Sequence, residues 1–442
     1  MEQQKLIPAS NVTASNVTAK TIAAAAKKYP TPFYLYDESL IRDRCKELRD
    51  MPNAFGLKVR YGMKANSSKA LLKIIANEGL GIDAASLNEA KRAMMGGFGA
   101  EEILLTTQEV PIGEDRRDLE DMMKVGLNYN VCSLRQLELV ADFAGKNKIP
   151  LSMRVHPGVG SGASSTRNTG DKYSCFGVHL SVVKEAMDIA KEKGLVFKRV
   201  HVHIGSGGDP NVWKDNIDRE LFFLEQYFPG ADTINFGGGF KEKRMPNEER
   251  ADIKALGQYA KERIEGFFKR TGRKLFMEIE PGTFVVAMAG FLVTRVLDKK
   301  NTGSDGFQFL VVDGGMESNT RPLLYGARHP MFVVSTEGTL LSGEYGDGPA
   351  KKPFVVVGRC CESGDALTLD DEGKIVERNM AEPQFDDYLV LGGCGAYCSS
   401  MTPFNYNSHT QIPEVLQRAN GDLVLIRKAQ SLAQVTQNEL SI

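Results

Sequence analysis

The chain has 442 residues, 42% hydrophobic and 25% charged, the composition of a soluble globular protein with room for two domains or one large barrel with an addition. Lys and Arg number 55 against 56 Asp and Glu, a net charge of −1, so the basic excess of a nucleic-acid binder is absent. No run of about 18 apolar residues occurs, and Met1–Thr21 is polar without an apolar signal core, so neither a membrane span nor a secretory signal is expected. The seven cysteines are Cys45, Cys132, Cys175, Cys360, Cys361, Cys394 and Cys398. Scattered and odd in number, they fit free thiols in a reducing cytoplasm. Cys394 and Cys398 make half a metal site without a second Cys/His pair at zinc spacing, so no metal is expected.

A weak helical pattern covers Thr21–Lys28 and ends at Pro30. Pro32–Tyr36, apolar and aromatic, predicts a strand. The pattern then alternates: helix Leu40–Arg49, strand Leu57–Tyr61, helix Ser68–Asn77 with an apolar stripe at Leu71, Leu72 and Ile75, and strand Gly81–Asp83. Ser86 followed by Glu89 reads as a capping box opening the helix Ser86–Met95. Strands are predicted at Ile103–Thr106, Asn128–Val131, Leu151–Val155, Val200–Ile204, Thr233–Phe236 and Phe276–Ile279. Helices lie between most of them, including Ser181–Lys193 and Asp252–Arg270.

About eight strand–helix units over Pro52–Gly282 predict parallel strands with helical crossovers, and the count fits a (β/α)8 TIM-like barrel. An open doubly wound sheet is the competing architecture. Beyond Gly282 the rhythm changes. Phe291–Asp298, Phe307–Val312, Met331–Val334, Phe354–Val357 and Tyr388–Leu391 are strand-like, with few long helices between them. The expected organisation is therefore α/β: a barrel over 38–285, and a β-rich sandwich or barrel domain from 1–37 and 286–442. Gly343–Gly348 reads as a surface loop.

In such a barrel, chemistry collects at the C-terminal ends of strands, and five features fall there. Lys64 follows a buried strand, where desolvation favours an amine nucleophile; the alternative is an ordinary loop lysine. His201 and His203 alternate onto one face of their strand. They could place a ring against a cofactor, pack as satisfied polar groups or, least favoured, bind a metal. The glycine runs Gly205–Gly208 and Gly237–Gly239 follow later strands, where backbone N–H groups can close on phosphate, and Ser206 adds a hydroxyl. Glu280 ends a strand before Pro281, and a carboxylate at that depth needs a cationic partner, either a protonated pyridine nitrogen or a neighbouring Lys or Arg. An amine, a flat ring, a phosphate cup and a buried carboxylate are what pyridoxal 5'-phosphate (PLP) requires.

These motifs resemble those of the alanine-racemase-like, fold type III PLP decarboxylases, the group that includes diaminopimelate, ornithine and arginine decarboxylases. The resemblance runs from about Pro32 to Leu425. Tyr61-Gly-Met-Lys64-Ala-Asn resembles the family's Schiff-base motif. His203-Ile-Gly-Ser206 is similar to its ring-stacking histidine and phosphate-binding serine, Gly237-Gly-Gly-Phe to its phosphate loop, and Glu280-Pro-Gly282 to the segment whose carboxylate holds the pyridine nitrogen. Gly81-Ile-Asp83-Ala-Ala-Ser86-Leu-Asn-Glu89 also fits the family pattern. The resemblance implies Lys64, His203, Ser206, Gly238, Gly239, Glu280, Gly282 and Tyr397 as cofactor-binding residues.

Within the group, the C-terminal half resembles the diaminopimelate decarboxylases. Arg321-Pro-Leu-Leu-Tyr325 is similar to their substrate-binding Arg and Tyr, Cys361-Glu362-Ser363-Gly-Asp365 to their Cys-Glu-Ser signature, and Gly395-Ala-Tyr397 with Ser400-Met401 to their tyrosine segment. This implies decarboxylation of meso-2,6-diaminopimelate to L-lysine in the cytoplasm. Arg321, Tyr325, Glu362, Ser363 and Tyr397 would contact substrate, and Cys361 joins Lys64, His203 and Glu280 as catalytic. Glu362 suits the distal ammonium and Arg321 the distal carboxylate. It also implies a homodimer in which the Cys-Glu-Ser and tyrosine segments complete a neighbouring subunit's site. Two positions depart from the pattern: Thr283 stands where the family has an arginine after Glu-Pro-Gly, and Cys175 stands where relatives have lysine.

Overall fold

The structure is a computed structural model that describes residues 15–162, 169–344 and 351–442. Most of the polar N-terminal stretch and of the loop expected at Gly343–Gly348 lie outside the described residues. The chain divides into two compact units, one built from Arg44–Lys241 and Arg250–Val285, the other from the residues up to Asp43, Glu242–Glu249 and Val286–Ile442. Among the described residues no helix is long and apolar enough to cross a membrane.

In chain order, strand β1 (Phe33–Asp37) belongs to the second of these units. Strands β2 (Leu57–Gly62), β3 (Gly81–Ala84), β4 (Ile103–Thr106), β5 (Asn128–Val131), β6 (Leu151–Arg154), β7 (Phe197–His201), β8 (Thr233–Asn235) and β9 (Phe276–Ile279) make the barrel. Each pairs in parallel with the next, and β9 returns to β2 through Leu57↔Met277 and Val59↔Ile279. That closure excludes the open doubly wound sheet.

Local chemistry sets the elements. Ser86 Oγ accepts from Glu89 N at 3.0 Å, opening the helix Leu87–Met95. The reciprocal half of the box is shifted by one residue, because the Glu89 carboxylate takes the N–H of Ala85 at 2.7 Å. Asp252 caps the helix Ile253–Thr271 through Ala255 N, and Gly272 ends it at φ 74°, a left-handed conformation that favours glycine.

One boundary departs from expectation in a way that matters. Strand β7 covers Phe197–His201, three residues earlier than predicted, so His203 lies beyond the strand and not beside His201 on its face. The apolar alternation continues through Val202 and Ile204, but the chain turns at Gly205, φ 104°.

The other unit is a ten-stranded mixed sheet. Strands β10 (Gly290–Asn301), β11 (Gln308–Val312), β12 (Met331–Val334), β13 (Leu340–Gly343), β14 (Lys352–Val357), β15 (Arg378–Met380), β16 (Tyr388–Leu391), β17 (Glu414–Gln417) and β18 (Leu423–Arg427) join β1 in it. The main path runs β13-β12-β16-β10-β1-β17-β18, with β11, β14 and β15 branching from β10. Long β10 serves both parts: its buried first half pairs with β1 and β16, and beyond a register shift at Val296/Asp298 its exposed half pairs with β11. Strands β13, β15, β17 and β18 are not expected from the sequence.

Candidate active site

Parallel closure gathers side chains from several strands at the C-terminal end of the barrel. Lys64 sits in a single turn, Met63–Ala65, directly after β2, and its Nζ lies 3.4 Å from Asp83 Oδ2 at the end of β3. Glu280 follows β9, the strand paired with β2 on its other side, and Gly62 N donates to Pro281 O at 3.2 Å. Lys64 and Glu280 therefore flank one seam of the barrel. Asp83 is buried. Desolvation, then the nearby Glu280 charge, raises its carboxyl to about 7 against the opposing pull of Lys64.

Two glutamates two positions apart are treated very differently. Glu278 is bound by two cations: Arg60 reaches it at 3.0 and 2.9 Å and Arg199 at 3.0 Å. Burial would raise its carboxyl, but the two guanidiniums outweigh that and hold it at about 2. Glu280 receives an imidazole and an amide in place of guanidiniums. His201 Nε2 lies 3.0 Å from Oε2, and Asn235 Nδ2 donates to Oε1 at 2.7 Å. Burial again opposes ionisation, yet the His201 contact and the Lys64 charge hold this carboxyl well below the usual range. Glu280 is thus an ionised, buried group that no lysine or arginine among the described residues touches directly.

The glycine run after β8 is drawn tightly against His203. A Cβ on Gly237 (φ 65°) would lie 2.6 Å from Val202 O, and one on Gly238 would lie 2.6 Å from Glu280 O and 3.3 Å from His203 Cε1. Gly238 N donates to His203 Nδ1 at 3.0 Å, so that N–H is committed to fixing the imidazole. Desolvation, followed by the charges of Arg154 and Lys64, pushes His203 well below its ordinary value, leaving a neutral flat ring. Gly205 and Gly239 also take positive φ, 104° and 95°, and Ser206 is exposed on the turn between β7 and the helix Pro210–Tyr227. Gly282 lies close to Gly62, 3.6 Å from where a Cβ there would sit.

The residues present fit PLP. They offer an amine, a neutral imidazole, glycine turns that side chains would obstruct, and a carboxylate with charge to spare. Two buried atoms without a hydrogen-bond partner, Asp83 Oδ1 and Arg154 Nη2, mark polar capacity that the fold itself leaves unused, which natural structures rarely tolerate without a ligand or water.

The signature of the pyridoxal-binding domain of pyridoxal-dependent decarboxylases spans residues 39–287. This chain belongs to that family. The diaminopimelate decarboxylase of Escherichia coli K12 is 30% identical over 93% of this chain and 94% of its own length; that of Methanothermobacter thermautotrophicus is 32% identical over 94% and 92%. Among solved structures, a diaminopimelate decarboxylase superimposes with a TM-score of 0.86 at 28% identity, covering 99% of both chains. The Helicobacter pylori enzyme complexed with L-lysine gives 0.76 at 27%, covering 93% and 98%.

The remaining family-motif residues lie in the sheet unit, in two groups. Arg321 is buried at the start of the helix Arg321–Tyr325, with Nη1 3.4 Å from Ala396 O, which joins it to the turn carrying Tyr397. Tyr397 holds φ 58°, a left-handed conformation that costs a non-glycine residue energy and persists where the surroundings enforce it. Gly395 makes the turn possible, since a Cβ there would lie 1.7 Å from Val286 O. The second group is exposed. Glu362 accepts from Ser363 Oγ, Gly364 N and Tyr406 Oη, each at 3.2 Å, while Cys361 N donates to Asn407 Oδ1 at 2.8 Å. Gly364 packs toward Leu323, between Arg321 and Tyr325. Thr283 begins the short helix Thr283–Val286, and Cys175 is exposed.

Among the described residues Cys394 and Cys398 find one further side chain with a ligating atom, not a second pair. His329, far away in sequence, completes a buried group with them. Its Nδ1 lies 3.0 Å from Gly392 O and 3.4 Å from Cys394 Sγ. The Arg321 and Arg244 charges act on both His329 and Cys398, so a cation added there would meet two guanidiniums.

Sequence reading passed over Asp83, Asn130, Arg154 and Asn235 as site residues. The available signal was position: each is a polar residue in the C-terminal half of a strand whose other residues are mostly apolar.

Proposed function

We propose that the chain is a PLP-dependent carboxy-lyase that converts meso-2,6-diaminopimelate to L-lysine and CO2. The observation that carries the reading is the seam between β2 and β9, where the Lys64 amine and the ionised Glu280 carboxylate flank paired strands. When bound, PLP supplies an electron sink for the pair left behind as CO2 departs.

The chain's residues supply the rest. Lys64 Nζ is the amine that would hold the cofactor covalently. Glu280 would favour a proton on the ring nitrogen by offering it a negative charge. His203, locked by Gly238, would offer its face to the ring. Ser206, Gly239 and Tyr397 are the phosphate-binding candidates, with Gly238 shaping the turn. Arg321 grips the distal carboxylate, Tyr325 assists it, and Glu362 with Ser363 receives the distal ammonium. Cys361 Sγ is the candidate donor of the proton that replaces CO2, with Lys64 Nζ as the other.

A homodimer with shared sites belongs to the same reading. What supports it is exposure: in the single chain Cys361, Glu362 and Ser363 face solvent, and exposed Leu323 lies against Gly364 of the same loop, an arrangement suited to covering by a second copy. Thr283 favours a second reading, decarboxylation of an amino acid with a less anionic far end, such as ornithine or lysine. The test is a substrate panel with CO2 release and product mass detection on the PLP-loaded protein. Turnover of meso-diaminopimelate to lysine is expected; turnover confined to ornithine or lysine replaces the first reading with the second.

A further inference from the structure

The two glutamates of β9 and its end suggest a division of labour that depends on a residue outside the family motifs. His201 is 1% exposed and Asn130 0%. His201 Nε2 faces Glu280 Oε2 at 3.0 Å, and its Nδ1 faces Asn130 Nδ2 at 3.0 Å. The same Asn130 nitrogen also reaches Thr106 Oγ1 at 3.0 Å.

We propose that His201, fixed by Asn130 as the neutral Nε2–H tautomer, is a positioning residue that aligns the Glu280 carboxylate without neutralising it. The inference rests on the reading of this barrel end as a PLP site. An ionised carboxylate only accepts, so Nε2 must carry a hydrogen. A neutral ring then leaves Nδ1 as an acceptor, and the atom facing it is the amide nitrogen of Asn130. In this orientation of the amide both hydrogens are used, one on Thr106 and one on His201, while its Oδ1 is buried without a partner.

The surroundings keep the ring neutral. Burial lowers its proton affinity, Arg154 and Lys64 oppose a further positive charge, and only Glu280 pulls the other way. The contrast with Glu278 shows what a cation here would do. Two arginines absorb that carboxylate's charge, whereas a neutral imidazole and a neutral amide leave the Glu280 charge available to a cationic ring nitrogen. A lysine or arginine at position 201 would satisfy the same oxygen and consume that charge.

The test uses the PLP-loaded enzyme reconstituted with cofactor labelled with nitrogen-15 in the ring, because the shift of that nucleus reports its protonation directly. In the wild-type protein and in His201→Gln, which keeps a neutral N–H donor, the ring nitrogen is expected to be protonated. In His201→Lys the shift should move to the unprotonated position, with kcat lowered about a hundredfold and KM changed by less than about threefold. Should that variant not fold, isosteric Asn130→Asp replaces it, since a carboxylate at Nδ1 draws a second proton onto His201 and turns it into a cation. A wild-type shift in the folded charged variant overturns the proposal, as does loss of ring protonation in His201→Gln. A wild-type protein that takes up no PLP removes the cofactor reading itself, and this inference with it.

Discussion

Lys64 Nζ lies 3.4 Å from Asp83 Oδ2, and Asp83 also feels the Glu280 charge. The amine that would tie the cofactor is therefore set beside a carboxyl that is half-protonated near neutrality. Desolvation and Glu280 raise Asp83 to about 7, and Lys64 only partly offsets them. Its Oδ1 is buried without a partner, so the ionised form has nothing more to recommend it.

A pH dependence follows for the cofactor-free protein. An acid whose folded value is raised contributes stability that is fully present below its unfolded value, about 3.9, and is lost as pH rises through the folded value, here about 7. Asp83→Asn removes that loss. Its melting temperature relative to wild type should therefore increase between pH 4 and pH 7 and then level off. A constant difference across that range would show that Asp83 ionises as easily in the folded chain as in the unfolded one.

Replacing Lys64 bears on the cofactor directly. Lys64→Ala should abolish the visible absorption band of the PLP-loaded protein and reduce decarboxylation below detection. The fold should survive, because the Lys64 side chain is 44% exposed. Far-ultraviolet circular dichroism checks the fold, and retention of the band in the variant would transfer the amine's role to another lysine.

The barrel was readable in the sequence because parallel strands buried on both faces appear as apolar runs and the crossover helices announce themselves by periodicity and caps. Asn128–Val131 and Phe276–Ile279 were located to the residue. The end of β7 was misplaced because apolar alternation outlasts the strand, and only the turn at Gly205 ends it. Strand β15, Arg378-Asn-Met380, carries no apolar run at all; its place comes from pairing with β14 through Pro353↔Asn379, a partner that local pattern cannot supply. Lys64, His203 and Glu280 were visible because the family spaces them in recognisable motifs. Asn130 and Asn235 were not, since their meaning lies in contacts with His201 and Glu280, 71 and 45 positions away.

Substrate selection can be tested through Arg321 and Glu362. Arg321→Lys keeps the charge and loses the planar fork, so KM for meso-diaminopimelate should rise about tenfold or more, the cost of a charge-assisted hydrogen bond. Glu362→Gln should raise KM similarly for meso-diaminopimelate while leaving the visible cofactor band intact, because Glu362 lies on the exposed loop and not in the barrel. Steady-state kinetics with the absorption spectrum of each variant separates the two effects. An unchanged KM in both variants would remove the proposed grip on the far end of the substrate.

Glu278 supplies a prediction of opposite pH sign to Asp83. Its carboxylate lies between Arg60 and Arg199, all three buried. Glu278→Gln leaves two guanidiniums in the barrel interior facing a neutral amide, and removing one partner from a buried ionic group costs about 3–5 kcal/mol. The wild-type carboxyl is held at about 2, below an unfolded value of about 4.3. The stability it contributes is therefore present above the unfolded value and is lost as pH falls through it toward 2. Urea unfolding at pH 7 and pH 4 should show a large destabilisation of the variant at pH 7 that narrows at pH 4. Equal midpoints for both proteins at pH 7 would mean that Arg60 and Arg199 find other partners when Glu278 loses its charge.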